Sequence, residues 1–141
     1  MIVLDTNVIS ELLRQEPDAR VVAWLGSIDD DVSITAVTLA ELFAGVRRLP
    51  EGQRKVALED AVFTAVEPYR DGHSVLPFDE ACAEAYAEIL HGREQAGLPI
   101  ATADAQIAAI CRTHDAACAT RNTKDFVGTG IATIDPWGAP G

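Results

Sequence analysis

The chain has 141 residues, a length that suits a single domain with one substantial core. Hydrophobic residues make up 48% of it, which excludes an intrinsically disordered protein. The formal net charge of −11 argues against general nucleic-acid binding and favours a protein that binds cations or a basic partner segment. No apolar run approaches the roughly 20 residues that span a bilayer, and the N-terminus lacks a signal-peptide pattern, so we expect a cytoplasmic protein.

Short apolar runs alternate with segments of helical periodicity through the first half of the chain. Each run is too short for a helix and is typical of a strand buried in a parallel sheet. In chain order the pattern predicts a strand at residues 1–4, helices around 8–13 and 21–28, a strand at 32–35, and helices at 39–49 and 52–66.

The second half continues the alternation, with strands predicted at residues 75–76, 117–120 and 131–134 and helices at 79–96 and around 107–111. Asp79 is expected to cap the first of these helices, and Gly97 to stop it. The whole pattern predicts an α/β fold of three layers, in which a central parallel sheet of about five short strands is covered by helices on both faces. We expect a single domain over residues 1–137 and a flexible tail at residues 138–141.

The three cysteines, Cys82, Cys111 and Cys118, are odd in number and show no C-x-x-C spacing. Each stands in an apolar neighbourhood, which is typical of a buried free thiol. We therefore expect neither a disulfide nor a zinc site.

Four acidic residues follow predicted strands or stand in the helices next to them: Asp5, Glu41, Asp104 and Asp125. In an open α/β sheet the reactive crevice lies beyond the carboxyl ends of the strands, so one sheet geometry can bring all four to the same edge. Carboxylates gathered there raise one another's pKa, and a bound cation removes that repulsion. A donor set made only of oxygen favours Mg²⁺ or Mn²⁺, ions that commonly serve phosphoryl chemistry.

Each of these acids also has a purely structural interpretation. Asp5 can cap its helix, and the pattern from Thr38 to Glu41 matches a capping box. Asp104 suits the first turn of a helix, and Asp125 suits an ordinary turn. Taken singly, the structural interpretation is favoured for all but Asp5, where the two are balanced, so the metal hypothesis depends on the four acids together.

Uncharged polar residues stand at the same strand ends: Thr6, Asn7, Thr120 and Asn122. They suit the orientation of a bound water or a phosphate, and equally suit capping and turn formation. Arg121 and Lys124 are the candidate phosphate contacts, with surface solvation as the alternative.

Four segments of the chain resemble the motifs of the PIN-domain family: Asp5-Thr6-Asn7 after Ile-Val-Leu, residues 38–42 with Gly45, residues 104–109, and residues 120–126. The resemblance extends to the final Asp135-Pro136-Trp137 and so covers nearly the whole chain. Within the family, the chain looks like the VapC-type toxins of bacterial toxin–antitoxin pairs, in the subgroup similar to FitB.

This resemblance implies a PIN-like α/β/α fold and a metal-dependent endoribonuclease. By the same resemblance, the acidic site for Mg²⁺ or Mn²⁺ would be formed by Asp5, Glu41, Asp104 and Asp125. Thr6 and Asn122 would be supporting polar residues. The family also implies a homodimer, an RNA substrate and a cognate VapB-type antitoxin whose tail blocks the site, often with an arginine among the acids.

Three alternatives remain open at this stage. A catalytically silent PIN-like module would use the acidic cleft only to receive a basic peptide. A phosphatase of the haloacid-dehalogenase type also begins with an aspartate after its first strand, but it requires a second aspartate where this chain has Asn7. A nuclease acting on DNA is not distinguished from one acting on RNA by the residues alone.

Overall fold

The computed structural model describes residues 1–138. The strands are β1 (Ile2–Leu4), β2 (Val32–Thr35), β3 (Val75–Leu76), β4 (Ala117–Ala119) and β5 (Thr133–Ile134). The helices are α1 (Thr6–Leu12), α2 (Ala19–Ser27), α3 (Ala36–Arg47), α4 (Gln53–Asp71), α5 (Ala83–Gln95) and α6 (Thr102–Thr113). Two 3₁₀ turns span Glu80–Cys82 and Thr123–Phe126. Of the tail predicted at 138–141, all but Gly138 lies outside the described residues.

All five strands run parallel, in the order β3-β2-β1-β4-β5. The central strand is β1, in which Ile2 is in register with Val32 on one side and Ala117 on the other. The chain builds outward from β1 through β2 and β3, and then returns to add β4 on the opposite side. The carboxyl ends of β1 and β4 therefore flank the point where strand order reverses, which is where open α/β sheets bind ligands.

The core lies in two parts, one on each face of the sheet, because successive side chains of a strand point to opposite faces. Val3 packs with the cluster that contains α6 and the buried side of α5. Ile2 and Leu4 pack with the cluster formed by α1, α2, α3 and α4. The predicted three-layer fold with a central parallel sheet of five short strands is thereby confirmed.

α6 is the most deeply buried helix, with Ala105 and every residue from Ile107 to Cys111 in the core. Its first turn lies at the edge of the sheet, and this places Asp104 beside the end of β1. The three cysteines are buried and free, as the sequence predicts.

Several element boundaries differ from the sequence-based expectation. α4 continues five residues past the predicted end, through Pro68, because only one backbone bond is lost there and Tyr69 packs against the core. Asp79 makes no capping bond from its side chain; the 3₁₀ turn Glu80–Cys82 precedes α5 instead. Val22, one of the apolar residues within the helix predicted at 21–28, is exposed. Within residues 1–138, no helix has the length and apolar character needed to span a membrane.

The core assignment predicts a large effect of shortening Ile107. Ile107→Ala should lower the free energy of unfolding by about 2–5 kcal/mol, because the side chain is fully buried and its loss leaves a cavity. Val56→Ala is the control, since Val56 is a helical residue that is 61% exposed; it should change stability by less than about 0.5 kcal/mol. Urea denaturation followed by circular dichroism measures both, and equal losses would contradict the assignment.

Candidate active site

An open cleft of about 550 Å³ lies at the carboxyl ends of β1 and β4. Its acidic lining residues are Asp5, Glu11, Glu41 and Asp104, and its basic lining residues are Arg14 and Arg121. Thr6, Asn7 and Asn122 line it as well. Three of the four acids predicted from the sequence thus share one cleft with both supporting polar residues, while Asp125 and Lys124 lie outside its lining.

Asp5 is the buried acid of the cleft, with 4% of its surface exposed. One carboxylate oxygen accepts a hydrogen bond from the amide of Thr6 at 2.8 Å, so the residue does cap α1. The other accepts from the hydroxyl of Thr120 at 2.8 Å and from the side-chain amide of Asn7 at 3.3 Å. Burial raises the pKa of Asp5; the bonds from Thr120 and Thr6 oppose that rise, and repulsion from Glu41 and Asp125 adds to it. The carboxylate of Asp5 therefore both caps α1 and lines the cleft.

Glu41 lies in the second turn of α3 and does not cap it. The helix is capped by Thr35, whose hydroxyl oxygen accepts from the amide of Thr38 at 3.0 Å, so the capping-box interpretation of Thr38 and Glu41 is wrong. Glu41 instead accepts a hydrogen bond of 2.6 Å from the hydroxyl of Thr6. The hydroxyl oxygens of Thr6 and Thr38 lie 3.0 Å apart. Because a hydroxyl carries one hydrogen, Thr38 donates to Thr6 while Thr6 donates to the carboxylate.

Asp104 stands in the first turn of α6 and is half-buried. Burial raises its pKa to about 6, with further rises from Asp5, Asp125 and Glu41 and an opposing effect of Arg93. A carboxylate placed only for the helix dipole would not have three other acids close enough to disfavour its charge. The carboxylates of the cleft therefore repel one another, and this disfavours the charged form of Asp104.

Asp125 lies in the 3₁₀ turn Thr123–Phe126, where its amide donates to the carbonyl of Asn122 at 3.0 Å. Its backbone matches the turn interpretation, but its charge acts on both Asp5 and Asp104. It is thus placed beside the cleft rather than in its wall.

Arg93, which sequence reasoning missed, ties this turn to α5. It is 5% exposed, and its Nη1 donates to the carbonyl of Val127 at 2.9 Å and to that of Lys124 at 3.4 Å. Its Nε is buried without a hydrogen-bond partner among the described residues. The sequence feature that could have identified Arg93 as buried is its position: residue 93 continues the inner apolar stripe that passes through Cys82, Tyr86 and Ile89.

The part of the cleft next to the end of β4 is formed by residues that follow this strand. Asn122 donates from its amide to the hydroxyl of Thr120 at 3.0 Å, and Arg121 donates from its amide to the side chain of Asn7 at 3.2 Å. The guanidinium of Arg121 lies 5.1 Å from the centre of the Trp137 ring, a cation–π distance. The Trp137 ring therefore stabilises Arg121 at the rim of the cleft.

The residues present fit a divalent metal by their chemistry, because oxygen donors and unfavourable carboxylate charge lie together. Within residues 1–138, however, no three carboxylate, histidine or cysteine side chains converge closely enough to hold one ion. The structure therefore does not show a ligand shell made of all four predicted acids. Mg²⁺ is compatible with this arrangement, since it commonly takes one or two carboxylates and completes its shell with water and substrate phosphate.

Comparison with known proteins assigns the family. Residues 2–130 match the PIN domain, and the chain belongs to the PIN-domain family. It is 45% identical to the toxin FitB of Neisseria gonorrhoeae, over 97% of this chain and 99% of that protein. It is 39% identical to the VapC ribonuclease Y4jK of Sinorhizobium fredii, over 97% of this chain and 98% of that protein. The structure of FitAB bound to an IR36 DNA fragment contains a chain that matches it with a TM-score of 0.90 and 42% identity, covering 100% of this chain and 99% of that one. Ribonucleases of this family generally use divalent metals.

The raised pKa of Asp104 predicts a pH dependence of stability. Its value of about 6, against 3.8 ordinarily, means that the folded chain binds this proton more tightly than the unfolded chain does. The resulting stabilisation is complete below about pH 3.8 and is lost as the pH rises through about 6. In metal-free buffer, Asp104→Asn should therefore be more stable than the wild type at pH 7, by about 1 kcal/mol after allowance for screening at a half-exposed site.

Urea denaturation at a series of pH values measures this effect. The wild type should lose stability relative to Asp104→Asn between about pH 4 and pH 6, the interval between the two pKa values. Asp71→Asn, at the exposed end of α4, is the control and should follow the wild type. Parallel curves for wild type and Asp104→Asn would show that the carboxylate is not held in a repulsive environment.

Proposed function

We propose that this chain is a metal-dependent endoribonuclease toxin that hydrolyses phosphodiester bonds in RNA and is neutralised by a cognate VapB-type antitoxin. The observation that carries the proposal is the shared cleft of Asp5, Glu41 and Asp104 at the reversal point of a PIN-family sheet. Similarity to a VapC ribonuclease and to the toxin FitB over nearly the whole chain supports the activity and the partner.

The proposed metal is Mg²⁺ or Mn²⁺, and the residues proposed to hold it are Asp5 and Asp104, with Glu41 and Asp125 contributing further negative charge. Repulsion between Asp5 and Asp104 supports this assignment, because a shared cation would remove it. A bound ion would lower the pKa of a coordinated water and neutralise charge on the phosphate under attack.

Asp5 and Glu41 differ in ways that suit different roles. Asp5 is buried and its oxygens already accept three hydrogen bonds, which fixes its position. Glu41 is exposed to the cleft and is held by the Thr6 hydroxyl through one oxygen. Glu41 is therefore the proposed general base, which accepts a proton from the attacking water. Attack at phosphorus breaks the bond to the 3′ oxygen, which takes up a proton and leaves a 3′-hydroxyl and a 5′-phosphate.

The proposed substrate is single-stranded or loop RNA, because its backbone can bend into a narrow acidic cleft. Arg121 is the proposed phosphate contact at the cleft rim, and its packing on Trp137 supports this role. Lys124 is exposed on the neighbouring turn, and its role in RNA binding stays a prediction. For the antitoxin, an arginine among the carboxylates is physically suitable, since a guanidinium can bind paired carboxylates. The homodimer and the cytoplasmic location also stay predictions.

Asp5→Asn should reduce RNA cleavage by at least a hundredfold while leaving the fold intact, because it removes the buried charge but keeps a side chain that can cap α1. Asp18→Asn is the control: Asp18 is likewise the N-cap residue of its helix, α2, but does not line the cleft. Cleavage of labelled RNA measures activity, and circular dichroism checks the fold. Wild-type cleavage by Asp5→Asn would overturn the assignment of this residue.

Metal dependence has its own test. EDTA should abolish cleavage, and Mg²⁺ or Mn²⁺ should restore it. Either ion should also stabilise the wild type against unfolding, by about 2.7 kcal/mol at a hundredfold excess over its Kd, and should stabilise Asp5→Asn much less. Calorimetry measures the binding directly. A folded protein that neither binds the ions nor cleaves RNA would favour the silent module whose acidic cleft receives a basic peptide.

A further inference from the structure

Arg14 stands where two cavities of the molecule meet. It lines the acidic cleft, and it also lines a larger, mainly apolar groove of about 980 Å³ between α1, α3 and α4. Asp5 directly precedes α1 and Arg14 follows its C-cap residue, so the length of the helix, about 10 Å at 1.5 Å per residue, separates their backbones. The cleft therefore has a basic residue at the end remote from Asp5, in addition to Arg121 in its lining.

The position of Arg14 is fixed by a buried carboxylate. Glu11 is 5% exposed, and both of its oxygens accept from Nη1 of Arg14 at 3.3 Å. One of those oxygens also accepts from the amide of Asp18 at 2.9 Å, which anchors Glu11 to the start of α2. The hydrogen bond from the Asp18 amide lowers the pKa of Glu11 most, and the Arg14 guanidinium lowers it further. Burial acts in the opposite direction but does not outweigh them, so Glu11 stays ionised.

Most of the Arg14 side chain is nevertheless open to a ligand. Its side chain is 66% exposed, and its recorded bonds use only Nη1. Within residues 1–138, Nε and Nη2 of this guanidinium have no hydrogen-bond partner. Two donors in a planar fork match the oxygens of a phosphate.

The charge of the chain favours such a contact for RNA. The net charge is −11, and the cleft lining contains four acids against two arginines. A polyanion that enters such a cleft needs local cations to offset this field. A basic antitoxin tail is attracted by the carboxylates of the cleft and offers no acceptor charge to Nε and Nη2 of Arg14, which suit an anionic ligand such as an RNA phosphate.

We propose that Arg14, oriented by Glu11, contacts a phosphate of the RNA strand away from the bond that is cleaved, with the strand running along α1 from the carboxylates to the outer end of the cleft. This inference rests on the proposed ribonuclease function and deepens it. It assigns a path to the bound strand and adds a phosphate contact at Arg14 to the one proposed at Arg121.

The test is the salt dependence of RNA binding. On an Asp5→Asn background, which prevents cleavage, binding of a random-sequence single-stranded RNA is measured against KCl concentration at constant Mg²⁺. Loss of one phosphate contact lowers the slope of log K against log[salt] by about 0.7 for a single strand. Arg14→Ala should show this decrease together with weaker binding, and Arg14→Lys should keep most of the slope because it keeps the charge.

Arg112→Ala is the matched control, since Arg112 also pairs with a glutamate, Glu88, but does not line the cleft. It should leave the slope unchanged. A purely structural role of Arg14 would alter the melting temperature without altering the slope. An unchanged slope in Arg14→Ala overturns the inference, and a simultaneous loss of antitoxin affinity would assign Arg14 to the partner surface. Failure of the wild type to cleave any RNA would instead reject the ribonuclease function itself.

Discussion

The rest of the candidate site depends on one buried carboxylate, that of Asp5 at the end of the central strand. Its hydrogen bonds join the end of β1 to the first turn of α1 and to the residue that follows β4. Burial disfavours the charge of this group, and the bonds from Thr120 and Thr6 oppose that effect. The position of the carboxylate is therefore fixed by the same interactions that keep it ionisable.

Around this group the chain brings together charges that repel one another. Asp104, Glu41 and Asp125 each act on Asp5 or on one another, while the buried guanidinium of Arg93 offsets part of the field at Asp104. Such an arrangement lowers the stability of the folded chain and is typical of a functional site. The deep burial of α6 on one face and the packing of buried side chains from α1 to α4 on the other supply the apolar contacts that tolerate it.

The fold could be predicted from the sequence because strand and helix periodicities alternate clearly and each strand is a short apolar run. Asp5, Glu41 and Asp104 could be predicted because they follow strand ends or stand in the helices next to them, a local property, whereas Glu11 was not predicted. The interpretation of Glu41 as a cap failed because Thr35, three residues before Thr38, competes for the same role. Arg93 and Arg14 were not found because their functions depend on contacts with Val127 and with Glu11 that only the folded chain establishes.

The central position of β1 has a consequence for synthesis. The hydroxyl of Thr120 and the carboxylate of Asp5 are separated by 115 positions in the chain, and β4 must pair beside β1 before they meet. At about 5–20 residues per second, a ribosome needs roughly 6–23 s to make the intervening segment. The nascent polypeptide therefore lacks its assembled acidic centre until late in translation, so a toxic activity located there would arise only in nearly finished molecules.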